Sequence, residues 1–211
     1  MELTLYTNPM SRGRIARWMC EELREAGGPD YETVLLDYGT TMKGPDYLAV
    51  NPMGKVPAIR HGDAVVTEAA AICAYLGDAF PDAGLAPGLT DPARAPYLRW
   101  LFFAAGPLEA AVTNGSFGWL KETPEERGRL GYGSMDQVVD ALDGWLKGRE
   151  FVVGDRFTAA DVYVASAVGW GLMFKTLPER PSFAAYALPH QARPAAIRAR
   201  EIDDALMPKE K

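Results

Sequence analysis

The chain has 211 residues, 48% hydrophobic and 24% charged, a globular composition long enough to bury its own core without metal or disulfide staples. Twenty-two Lys and Arg against 28 Asp and Glu leave a net charge of −6, which advertises no basic face for a phosphate backbone and argues against a nucleic-acid partner. Two cysteines, an opening Met-Glu-Leu-Thr-Leu-Tyr without a basic-then-apolar leader, and no apolar run near the roughly 20 residues of a bilayer span predict a cytoplasmic protein with no membrane partner.

In chain order, Leu3 and Leu5 alternate with polar neighbours and predict a half-buried strand. After the Asn8-Pro9 turn, Ile15, Trp18, Met19 and Leu23 fall at helical spacing, with Glu21, Glu22 and Arg24 set mainly toward solvent. The Gly27-Gly28-Pro29 break precedes Tyr31 to Leu36, a second strand returning beside the first by a right-handed crossover. Val56 to Ile59, the His61-Gly62-Asp63 turn and Ala64 to Thr67 make a hairpin. An Ala-rich helix follows, with Ile72, Tyr75, Leu76 and Phe80 on one side. Residues 1–81 thus read β-α-β-β-α, and 82–96, rich in Pro, Gly and Ala, read as a linker. Over 97–211 strand patterns are scarce, and apolar residues recur every three or four positions: Leu98, Leu101 and Phe102; Val138, Leu142, Trp145 and Leu146; Val162, Ala165, Val168 and Leu172. The second domain is expected to be all helical and to end in a short, fraying helix from Ile202 to Lys211.

Four stretches carry chemistry or folding information. Tyr6 to Arg14 forms a strand end, turn and helix start, where unpaired amides and the helix dipole stabilise an anion and the Ser11 hydroxyl can donate to it; N-capping is the competing role of Ser11. In Asn51 to Ala58, Pro57 removes a ladder donor and belongs at an edge. A cis bond there would turn the Val56 backbone groups toward a ligand, and a plain edge proline with a solvated Lys55 is the alternative. Thr67-Glu68-Ala69 marks another helix start, where first-turn amides suit a carboxylate and Glu68 suits an ammonium, a pairing made for a zwitterion; a Thr67 N-cap with Glu68 complementing the dipole is the plainer reading. Asp155 to Val162 contains Thr158 and Asp161 at capping-box spacing, flanked by Phe157 and Val162 at staple positions, and is assigned to folding. No His, Cys or carboxylate cluster has ligand spacing, so no metal is expected, and there is no Gly-rich phosphate loop.

In this order the stretches resemble the soluble glutathione S-transferase family, bacterial type with a serine-like loop, over nearly the whole chain. The carrying residues are Ser11 with Arg12-Gly13-Arg14, Asn51 to Pro57, Thr67-Glu68, and Phe157 to Asp161. The resemblance implies an N-terminal thioredoxin-like domain of order β-α-β-α-β-β-α, followed by an all-helical domain with the site of the second substrate. It also implies a cis Pro57, a homodimer, glutathione as co-substrate and a small hydrophobic electrophile as acceptor. Position by position, it assigns Val56 to the cysteinyl backbone, Glu68 to the γ-glutamyl end and Lys55 to the glycyl carboxylate. Ala69 stands where many relatives have Ser or Thr, leaving only its backbone N–H.

For the thiol itself the resemblance points to Ser11, with Asn8 second, and leaves Tyr6 as a packed strand aromatic. Matched to a glutaredoxin loop, Ser11 and Arg14 occupy the two redox cysteine positions. Cys20 lies about 13 Å along the first helix from Ser11, too far to act there, and Cys73 sits among apolar neighbours. Trp100, Phe103, Phe117, Trp119, Trp170 and Phe174 are candidates either for an apolar wall facing the electrophile or for core. Three functions compete: a glutathione transferase, a non-catalytic glutathione- or ligand-binding regulatory protein on the same scaffold, and a glutathione-dependent thiol oxidoreductase, which the absence of a loop cysteine disfavours.

Overall fold

A computed structural model describes residues 1–121 and 123–207. It divides into two compact units, Met1–Ala86 with the segment from Arg193 onward, and Pro87–Ala192. The first unit runs β1 (Leu3–Thr7), α1 (Gly13–Glu25), β2 (Glu32–Leu35), a short α2 (Pro45–Leu48), β3 (Ala58–His61), β4 (Ala64–Thr67) and α3 (Ala69–Ala79). This is the β-α-β-α-β-β-α order of the thioredoxin-like fold. The sheet order is β2-β1-β3-β4, with β2 parallel to β1 as the crossover required, and β3 antiparallel to both β1 and β4.

Strand alternation sorts the two faces of this sheet. Leu3, Leu5 and Thr7 are buried, while Tyr6 on the opposite face packs against Leu36, Met42, Tyr47 and Ala58, its ring 5.6 Å from that of Tyr47. Tyr6 is therefore the packed aromatic the pattern indicated. Ile15, Met19 and Leu23 of α1 are core residues, as are Ile72 and Leu76 of α3.

The second unit is helical: α4 (Arg94–Phe103), α5 (Glu109–Ser116), α6 (Pro124–Arg129), α7 (Met135–Leu146), α8 (Ala159–Met173) and α9 (Pro181–Gln191). Between α4 and α5 the helix widens to a π segment over Ala104–Leu108, where Pro107 has no N–H to give to the preceding turn. Trp100 is fully buried, with Phe103 at 4.9 Å and Trp145 at 5.3 Å, so it is core rather than wall. Phe102, grouped with the apolar repeat by its spacing, is instead 72% exposed. At the start of α8 the Asp161 carboxylate accepts from the backbone N–H of Thr158 and Val152 and from the Tyr186 hydroxyl, at 2.7–2.9 Å, with Phe157 and Val162 buried beside it. Burial pushes the Asp161 carboxyl up, against the pull of these bonds.

The last helix, α10 (Pro194–Ala205), belongs to the first unit. The reading from sequence carried the helical domain to 211; the observed division returns the chain to the first unit at Arg193 because α10 packs along α1. The same contact corrects the exposure expected of Glu21 and Glu22, which are buried. Arg193 holds Glu22 through two bonds of 2.7 Å, Arg198 reaches Glu21 at 3.2 Å, and the buried Arg17 pairs with the buried Asp203 at 2.7 Å. The buried carboxylates of α1 are compensated from both sides: on Glu21 the Arg198 guanidinium joins Arg24 and the Tyr31 hydroxyl, and on Glu22 the Arg193 guanidinium joins the Trp18 indole N–H. The end of the fraying helix expected over 202–211 falls on 208–211, outside the described residues.

Candidate active site

Register brings the three candidate loops together. Tyr6, Ala58 and Thr67 are cross-strand neighbours, so the end of β1, the start of β3 and the end of β4 share one edge of the sheet. Ser11 follows β1, Val56-Pro57 precedes β3 and Glu68 follows β4. With strands about 4.8 Å apart, the edge from β1 to β4 spans about 10 Å, roughly the reach of three extended residues.

At the β1 end, the turn is held from within. Ser11 Oγ donates to the Asn8 carbonyl at 2.7 Å and accepts from the Gly13 N–H at 2.9 Å. Ser11 therefore does cap the helix start, although Arg12 occupies the formal N-cap position. The amides of Arg14 and Ile15 bond to Ser11 O and Arg12 O. The unpaired amides expected here are thus largely taken, and what α1 offers an anion is its dipole and a half-buried hydroxyl. Asn8 is buried with both ends of its side chain in use: Nδ2 donates to Leu36 O at 2.8 Å, and Oδ1 accepts from the Met10 N–H at 2.9 Å.

In the centre, the Val56-Pro57 peptide is cis. The Lys55 carbonyl accepts from Asn51 Nδ2 at 2.8 Å and from the Tyr47 hydroxyl, which fixes the chain entering the proline. Burial pushes the Tyr47 hydroxyl pKa up to about 12, so it stays a donor. Among the hydrogen bonds of the described residues, none uses the Val56 N–H or C=O. The Lys55 side chain is exposed, whereas Lys43 spends its ammonium on the Gly54 and Met53 carbonyls at 2.7 and 3.2 Å.

At the β4 end the plainer reading fails. Thr67 closes β4 and the N-cap of α3 is Glu68, which makes no side-chain capping bond and sits at φ 67° and ψ 118°. A side chain at positive φ is strained, and such strain concentrates where a site demands it. Its carboxylate is exposed with no partner among the described residues. The first-turn amides of Ala69 and Ala70 likewise have no acceptor there, so α3 presents the open helix start that α1 does not.

Cys20 and Cys73 are free and fully buried. Burial pushes the Cys20 thiol up to about 12 and that of Cys73 higher, so neither serves as a nucleophile. Among the described residues no group of three or more His, Cys, Asp or Glu could hold a metal, and no helix is long and apolar enough to cross a membrane. Two features escaped the sequence reading. The positive φ of Glu68 carries no sequence signature, and the fork by which Arg14 reaches the Pro9 carbonyl and Asp204 spans 190 residues.

Residues 1–78 match the family model for the glutathione S-transferase N-terminal domain, and residues 122–188 match that for the C-terminal domain. The chain is 32% identical over 156 residues to glutathione S-transferase GstA of Escherichia coli O157:H7, covering 72% of this chain and 76% of that one. Among solved structures, a glutathione transferase from Methylococcus capsulatus is 33% identical with a TM-score of 0.74, covering 96% of this chain and 99% of that one. A sphingomonad glutathione S-transferase complexed with glutathione is 29% identical with a TM-score of 0.74, covering 95% and 98%.

Proposed function

The chain belongs to the glutathione S-transferase family, and on that premise we propose that it binds glutathione along the sheet edge, activates it as the thiolate and transfers it to a small hydrophobic electrophile. The observation that carries this reading is the row of unsatisfied groups on the edge: the open Val56 peptide between Ser11 on one side and Glu68 with the open α3 amides on the other. Val56 N–H and C=O pair with the cysteinyl backbone. Glu68 accepts from the γ-glutamyl ammonium, and the Ala69 N–H and its neighbour donate to the adjoining carboxylate. Lys55 is the cation for the glycyl carboxylate.

A free thiol with a pKa of about 8.5 is only a few per cent thiolate at neutral pH, and lowering it by two units takes about 2.7 kcal/mol. The α1 dipole supplies about 0.3–1 kcal/mol and a hydrogen bond to a charged acceptor about 1.5–3 kcal/mol. Ser11 has one proton, which the Asn8 carbonyl holds until a better acceptor arrives. Turning it to the thiolate exchanges a neutral acceptor for a charged one, roughly twice as strong, while the oxygen keeps the Gly13 N–H. Asn8 has its side chain committed at both ends and ranks second. The electrophile site belongs to the helical unit, and by family analogy the protein is a homodimer.

The second reading, a binding protein on the same scaffold, draws on the internal use of the Ser11 hydroxyl and on Ala69. Following the ultraviolet absorbance of the bound thiolate against pH separates the two. We expect an apparent thiol pKa well below that of free glutathione. In Ser11→Ala the pKa rises by about one to two units, with kcat near neutral pH about ten- to a hundredfold lower. An unshifted thiol at saturating glutathione would leave the binding protein as the better account.

A further inference from the structure

We infer that Arg14 is a positioning residue for the thiol-activating turn, held to that task by Asp204 of the last helix; this rests on the transferase reading of the Ser11 site. Arg14 lies in the first turn of α1 and folds back over the turn that precedes it. Its Nε–H donates to the Pro9 carbonyl and its terminal nitrogen donates to Asp204 at 2.7 Å. Pro9 follows Asn8, whose carbonyl accepts both the N–H and the hydroxyl of Ser11. On the other side, the Tyr38 hydroxyl donates to the Met10 carbonyl at 3.3 Å. Two successive carbonyls of the turn are thus pinned from outside it, and the stronger of the two donors is a guanidinium tied to α10.

The pair is not needed to dock α10. Arg17–Asp203 and Arg193–Glu22 already join α1 to α10 with carboxylates that are fully buried or nearly so, whereas the side chains of Arg14 and Asp204 are 25% and 57% exposed. A partly exposed pair adds little to stability. Its value is geometric, because the planar fork of arginine fixes the directions of its bonds to the carbonyl and the carboxylate together, whereas the ammonium of lysine is a compact, freely rotating donor on a flexible stem. The charged and titratable groups around the turn are Arg12 at the N-cap of α1, Arg14 and Arg17 of α1, Asp203 and Asp204 of α10, and Tyr38.

Arg14→Lys and Asp204→Asn, measured beside the wild type, separate positioning from simple charge. If Arg14 acted only as a nearby positive charge, Arg14→Lys would behave as wild type. Asp204→Asn, stripping a negative charge, would then lower the pKa of the bound thiol. A positioning role predicts that both variants raise that pKa by about half a unit, which reduces kcat about threefold below the pKa. The KM for glutathione stays within about twofold, since Val56 and Glu68 are untouched, and thermal midpoints stay close to wild type. Unchanged pKa and kcat in both variants would overturn the role, as would the charge-only pattern or a rise in KM at constant kcat. A wild-type protein that leaves bound glutathione unshifted would remove the transferase reading itself, and this role with it.

Discussion

At Glu68 the backbone is held where a side chain costs about 1–3 kcal/mol, and the residue neither caps its helix nor pairs with another charge among the described residues. Stability alone would favour glycine there. Glu68→Gly is therefore expected to leave the urea midpoint unchanged or raised, because relief of the left-handed strain offsets the additional chain entropy of glycine, about 0.5–1 kcal/mol. The KM for glutathione should rise at least about tenfold, since the ligand ammonium loses its acid. A large fall in stability with KM intact would make Glu68 a structural residue. Ser11 shows the complementary case, in which capping and the proposed catalytic role draw on different parts of one hydroxyl: its oxygen accepts from the helix start and its proton, held by the Asn8 carbonyl, is the one the proposal exchanges.

Between elements, the distance of α1 from β1 decides how Ser11 is presented. A Cβ built on Gly13 would stand 1.9 Å from Thr7 Oγ1 and 2.9 Å from Ser11 Oγ, and Thr7 is fully buried at the end of its strand. Gly13→Ala must therefore lift the helix start away from the strand or turn Ser11 aside. We expect a loss of about 1–3 kcal/mol in urea unfolding and at least about tenfold in kcat. Wild-type behaviour in both measurements would mean that the close approach is dispensable. The same logic of packed elements explains why Glu21 and Glu22 read wrongly: on α1 alone they occupy a polar face, and α10 turns that face into an interior.

On the scale of the molecule, α10 returns to the unit that contains the proposed thiol site, so α10 and the first elements of the chain share one core. The arginines of α10 and α1 neutralise four carboxylates there, Glu21, Glu22, Asp203 and Asp204, within a chain of net charge −6. Light scattering tests the proposed assembly. A homodimer gives twice the 23.0 kDa of the chain, and a species at the mass of one chain across micromolar concentrations would rule it out.

What the sequence determined by itself is local. Periodicity placed β1, α1, the β3–β4 hairpin and α3; Thr158 and Asp161 announced their capping box; and the order of four short motifs pointed to the family and, through it, to the candidate residues of the proposed site. These signals are legible because each depends on residues a few positions apart, where backbone geometry makes spacing and contact nearly the same thing. Only the tertiary structure decided that Trp100 is core, that Phe102 faces outward, that α10 leaves the helical unit for α1, and that the α1 amides are spent while those of α3 are open. Each of these depends on which groups distant in the chain come to supply a partner. Burial, countercharge and hydrogen-bond satisfaction are properties of that three-dimensional neighbourhood, and residue spacing along the chain does not contain them.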